Sequence, residues 1–156
     1  MAAMQTLPHT RSCFVCGEAN PLGLNLRFET DGQRVYARFT PRAEHMGFKD
    51  VVHGGLLVTV LDEIMVWACA ARTGRFAFSV ELTTRFHQPA RPGQTLELSG
   101  ELTANRRDRL YEARARASDT SGKTLAEAVG KYMPIPGVAL PPMLQELVGS
   151  WPATGC

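Results

Sequence analysis

The chain has 156 residues with 44% hydrophobic and 21% charged content, enough to bury a core without disulfides or metal. Seventeen basic residues against fifteen acidic ones exclude a strongly basic nucleic-acid binder and an acidic disordered tail. The balance also holds locally: residues 1–80 carry eight basic and seven acidic, and residues 81–156 nine and eight.

In chain order, Met1 to Ser12 has no apolar stretch of signal-peptide length, so the reading is a cytoplasmic protein. Cys13-Phe14-Val15-Cys16-Gly17 follows. Two thiolates at that spacing are half of a tetrahedral zinc site. No second CxxC or HxxxH completes it, and completion would need Cys156, His9 or a second subunit; the reading taken is a turn with two thiols and no bound metal. Asn20-Pro21-Leu22-Gly23 ends this arm, residues 1–21. Leu24, Leu26 and Phe28 alternate with polar residues as a half-buried strand, Asp31-Gly32 turns the chain, and Val35, Ala37 and Phe39 alternate in the return. Pro41 to Val52 is a loop.

Leu56 to Ala71 concentrates most of the strong apolarity. Sixteen residues with Asp62 and Glu63 at the centre make a poor membrane span, so the run is predicted to be a helix enclosed by protein. Phe76 to His87 is a strand with Val80, Leu82, Thr84 and Phe86 on one face. Thr95 to Thr103 is another, followed by an arginine-rich turn at Asn105–Arg109. Leu110 to Ala117 and Lys123 to Tyr132 form a hairpin, Pro134 and Pro136 end the sheet, and Leu140 to Val148 forms a short helix in a tail of residues 137–156. About six mostly hairpin-connected strands around one apolar helix define an α+β fold over residues 22–136, with the antiparallel sheet wrapped on the helix.

His53-Gly54-Gly55 opens that helix without a strong side-chain cap, so its first-turn N–H groups are expected to lack partners. They suit a carbonyl oxygen gaining negative charge, and the glycines allow close approach; the same glycines would also serve a tight loop-to-helix join. Asp62 and Glu63 are the only charges between Val51 and Ala71. Retained carboxylates in such a setting are either paired or chemical. Thr59 lies one turn before them. Gly54 and Asp62 stand about 12 Å apart along one helix, so a site using both is expected to be shared between two antiparallel copies.

These residues, with Ser79-Val80-Glu81-Leu82-Thr83-Thr84-Arg85-Phe86 leading to Pro89 and Gly93, resemble the hotdog-fold acyl-CoA thioesterases. The nearest type is the phenylacetic-acid-degradation group of the 4-hydroxybenzoyl-CoA thioesterase superfamily. The Cys13–Gly17 and Asn20–Leu24 segments also resemble the opening of that group, and the resemblance covers roughly residues 13 to 133. It implies hydrolysis of an acyl-CoA, with Gly54 N–H as oxyanion donor and His53 beside it. Asp62 of the opposing subunit is then the general base or nucleophile, and Ser79 helps to place the water. Glu63 is off the motif position and stands as a structural or entrance carboxylate and a second candidate acid. Gly55 and Thr59 would border the substrate, and Arg106, Arg107 and Arg109 would meet the phosphates of coenzyme A. Some relatives carry Asn or Gln where this chain has Gly47. The resemblance implies a homodimer or dimer of dimers, no cofactor beyond the substrate's own coenzyme A, and no nucleic-acid or membrane partner. The alternatives are a non-catalytic acyl-CoA binder and an enoyl-thioester hydratase or dehydratase of the same fold.

Overall fold

The computed structural model describes residues 3–137 and 140–152. Short strands β1 (Gln5–Thr6), β2 (His9–Thr10) and β3 (Glu29–Thr30) precede β4 (Arg34–Phe39). A 3-10 turn at Ala43–His45 leads to helix α1 (Gly54–Thr73). Then come β5 (Ala77–Phe86), β6 (Leu96–Arg106), β7 (Leu110–Ser118) and β8 (Thr124–Pro134), and finally α2 (Leu140–Leu144) and β9 (Leu147–Val148). Seven strands form one sheet in the order β1-β3-β4-β6-β7-β8-β5, every pair antiparallel.

This is the hotdog architecture expected from the sequence: a long helix laid across a curved antiparallel sheet. By length and composition α1 is apolar enough to cross a membrane, yet Leu57, Val60, Leu61, Ile64, Met65, Trp67 and Ala68 are buried within the protein. At Gly100 of β6 the sheet comes close to the helix, and an added Cβ there would stand 3.0 Å from the Ile64 carbonyl oxygen. It ends at Gly74, whose left-handed φ of 72° lets its N–H cap the Ala70 carbonyl. The connection from β4 through α1 delivers β5 to the far edge, beside β8.

Four local expectations change. The sheet gains a seventh strand because Gln5–Thr6 of the arm pairs with β3. Leu24–Phe28 keeps its alternation, with Leu26 and Phe28 buried, but is not a ladder strand. Asn25 has φ 59°, and the backbone bonds run to the arm instead, from Leu24 N–H to Phe14 O and from Leu26 N–H to Val15 O. In β5 a bulge between Ser79 and Glu81 takes Val80 out of the ladder and leaves it exposed; beyond it Leu82 and Thr84 are half-buried and Phe86, at the end of this edge strand, is exposed. The terminal helix stops at Leu144, because Leu147–Val148 pairs instead with His9–Thr10 of the arm.

Candidate active site

At the start of α1 the structure corrects one expectation and sharpens another. His53 does cap the helix: its Nδ1 accepts the Gly55 N–H at 2.9 Å, which places the proton of the neutral ring on Nε2. The Leu56 and Leu57 N–H groups reach the His53 carbonyl at 3.0 and 3.4 Å. Among the described residues, the Gly54 N–H is left without a partner at the positive end of the helix dipole. It opens on a cleft of about 450 Å³ whose lining includes Phe48, Val52, Leu57, Phe86 and Pro89. A Cβ at Gly54 would stand 3.3 Å from the Phe86 ring, so glycine keeps this entrance clear.

Two turns on, Asp62 is half-buried and held through one oxygen. Ser79 Oγ donates to Asp62 Oδ1 at 2.7 Å, and Tyr132 Oη donates to the same oxygen at 3.0 Å. Among the described residues Oδ2 makes no side-chain bond. Ser79 on β5 and Tyr132 on β8 are directly paired in the ladder, so the sheet register delivers both hydroxyls to one carboxylate. Burial and the Asp62 charge push the Tyr132 phenol far above its ordinary pKa, so it remains a donor. Gly130 makes the space: a Cβ there would stand 2.7 Å from Tyr132 Cε2. Tyr132 was missed from sequence. The available signal was its inward parity with Ala126, Ala128 and Gly130, where it alone carries a polar tip.

His53, Gly54 and Gly55 thus gather at one place, and Asp62, Ser79 and Tyr132 at another. Gly54 and Asp62, at the centres of the two places, lie on a single unbroken helix about 12 Å apart. Thr59 turns its hydroxyl back to the Gly55 carbonyl at 2.9 Å. Arg106 forms a two-pronged bond with Glu112 at 3.0 and 3.2 Å. Arg107 and Arg109 are exposed in a tight turn where Arg107 and Asp108 have φ of 56° and 54°. None of the three arginines lines the cleft at Gly54 in the same chain.

Glu63 faces the arm. Its Oε1 accepts from Trp67 Nε1 at 3.1 Å and from the thiols of Cys13 and Cys16 at 3.3 and 3.5 Å. Burial first, then the neighbouring Cys13, pushes the Glu63 carboxyl up to about 8. Among the described residues, Cys13, Cys16 and Glu63 form the only group of three His, Cys, Asp or Glu side chains close enough to hold a metal. Cys156 lies outside the described residues.

A family model described as "Thioesterase superfamily" matches residues 49–125, from the loop before α1 to the first residues of β8. No curated protein matches the sequence. Among solved structures, a thioesterase superfamily protein aligns with TM-score 0.72 and 25% identity; it covers 79% of this chain, which spans 60% of that one. The PaaI protein of the phenylacetic acid degradation operon of E. coli aligns with TM-score 0.60 and 22% identity over 65% of this chain and 76% of its own. A hypothetical thioesterase of Streptococcus pneumoniae, solved with coenzyme A, gives TM-score 0.62 and 15% identity over 65% of this chain and 81% of its own. With α1 and β5 to β7 matched in sequence and the sheet matched in structure, the chain has the hotdog fold and is similar to the thioesterase superfamily over residues 49–125.

Proposed function

We propose that the protein hydrolyses acyl-CoA thioesters in a site completed by two subunits. The observation that carries this reading is the unpartnered Gly54 N–H at the head of α1, opening on an apolar cleft. A thioester carbonyl seated there gains a donor and a helix dipole aimed at the oxygen that becomes negative as water attacks. The acyl chain lies against Phe48, Leu57 and Phe86. Asp62 of the partner subunit supplies the carboxylate: Oδ1 is anchored by Ser79 and Tyr132, and Oδ2 is left to take a proton from water. Collapse of the tetrahedral intermediate expels the coenzyme A thiolate, which takes up a proton to leave as the free thiol.

Two observations support the shared site. One continuous helix keeps Gly54 and Asp62 too far apart to meet one carbon. The edge strand β5 also exposes Phe78 and Val80 beside its unpaired backbone, an apolar rim suited to a second copy. Arg107 and Arg109, both free of ion pairs among the described residues, are the candidates for the coenzyme A phosphates. The structural relative solved with coenzyme A supports that ligand class.

The test is a panel of aromatic, short and long acyl-CoAs with a thiol reagent, run beside Asp62→Asn. We expect turnover of at least one class and a loss of about 10²–10⁴-fold in the variant. Binding without turnover across the panel would favour a non-catalytic acyl-CoA binder, and a monomeric mass in solution would overturn the shared site.

A further inference from the structure

We propose that Cys13, Cys16 and Glu63 form a binding site for a thiophilic divalent cation, zinc above all, which fastens the N-terminal arm to the central helix. Along the chain, Cys13 and Cys16 are only half of a tetrahedral site. The fold supplies a third ligand from α1, fifty residues away from Cys13 in the chain.

The geometry fits a tetrahedral centre. The three ligand atoms all lie within 4.8 Å of one another, and the two sulfur-to-oxygen separations are 3.3 and 3.5 Å. With zinc bonds of ~2.3 Å to sulfur and ~2.0 Å to oxygen at tetrahedral angles, that edge is about 3.5 Å. The two sulfur-to-oxygen edges therefore already have about the length a bound cation would set in place of the two thiol protons, and the fourth position is left to water. Charge on two thiolates and a carboxylate in so small a space is tenable only with a cation between them.

The turn is also built for a thiolate. The Val15 N–H points at Cys13 Sγ from 3.3 Å, and the Gly17 N–H closes the loop onto the Cys13 carbonyl at 2.8 Å. At Gly17 a Cβ would stand 2.3 Å from the Arg11 carbonyl oxygen and 2.5 Å from the Cys13 nitrogen, so only glycine closes this loop. Arg27 Nη1 holds the Cys16 carbonyl at 2.7 Å. On the other side Trp67 Nε1 fixes the Glu63 oxygen that faces the sulfurs, an outer bond of the kind that orients metal ligands. The site is separate from Asp62, which occupies the adjacent helix position and bonds to the sheet. It therefore does not depend on the proposed hydrolysis.

The experiment uses the full chain, untagged and purified under reducing conditions. Elemental analysis should find about one zinc per chain. After stripping, cobalt(II) should give tetrahedral d–d bands with thiolate-to-metal charge transfer, and zinc should displace it against a chromophoric chelator. Glu63→Gln, which alters a ligand itself, should weaken zinc by at least the roughly 10- to 100-fold that loss of an outer partner costs, and Cys13→Ser with Cys16→Ser should abolish the cobalt charge-transfer band. If a variant fails to fold, the metal content and cobalt spectrum of the unaltered chain still decide. Trace zinc with no cobalt spectrum would overturn the proposal. Unchanged affinity in Glu63→Gln would remove Glu63 from the ligand set and overturn it equally.

Discussion

Alanine at Gly130 tests how tightly the sheet positions the carboxylate. The added Cβ would lie 2.7 Å from Tyr132 Cε2, 2.8 Å from Tyr132 Oη and 3.0 Å from Leu82 Cδ2. Carbon atoms rest at ~3.5–4.0 Å, so the ring must retreat by about 0.8 Å. Tyr132 is fully buried and cannot swing into solvent. A retreat of that size along its 3.0 Å bond to Asp62 takes the oxygens outside hydrogen-bonding range. Overpacking costs about 1–3 kcal/mol, and a hydrogen bond to a charged group is worth about 1.5–3 kcal/mol. Because Asp62 is half-exposed, water recovers part of the second amount. A net loss of about 2–4 kcal/mol remains, which lowers Tm by roughly 5–15 °C for a chain of this length. Circular dichroism melting reads the stability, and acyl-CoA turnover reads the placement of Asp62. Tyr132→Phe removes the same bond without the clash and should cost less than Gly130→Ala. The double variant should fall short of the sum, since both changes strike one bond. A Gly130→Ala protein that melts within about 1 °C of the parent and turns over substrate unchanged would refute this account.

The remaining predictions concern the groups around the site. His53→Ala removes the cap on α1 and should cost about 1 kcal/mol in a melting experiment, whereas His53→Asn, itself a good cap, should recover most of it. Ser79→Ala leaves Tyr132 as the single anchor of Asp62; kcat should fall by roughly tenfold with KM little changed, and Ser79→Thr should restore the rate. Burial pushes the Cys69 thiol up to about 12, so it stays protonated below that pH. Peptide mapping should therefore find Cys69 unmodified by iodoacetamide in the native protein at pH 7 and modified once denatured.

The sequence made the helix legible because its apolarity is continuous and His53-Gly54-Gly55 marks its start. Gly54 and Asp62 stood out because a free helix start and an acid in an apolar run are each costly without a use. What sequence could not show depends on which distant segments meet. Tyr132 reaches Asp62 only through the pairing of β5 with β8, and that pairing follows from a crossover that places β5 at the sheet edge. Glu63, expected as a structural or entrance carboxylate off the motif, points about 100° away from Asp62 as adjacent helix positions do. It therefore faces an arm whose route no local pattern encodes. Residues 24–28 have the parity of a strand, but their backbone partners were taken by that same arm.

The aromatic contacts of Trp67 give the molecule an optical handle. The chain holds two tryptophans, Trp67 and Trp151, and their rings stand 6.1 Å apart with Phe76 against both. Trp67 also donates its indole proton to Glu63. Emission excited in the indole band therefore arises from one small region, where the first segment of the chain, the middle of the long helix and the final segment converge. Fluorescence in this protein is a local signal: its wavelength and intensity follow the packing of the Cys13–Cys16 turn and of Trp151 around Trp67, away from the cleft at Gly54.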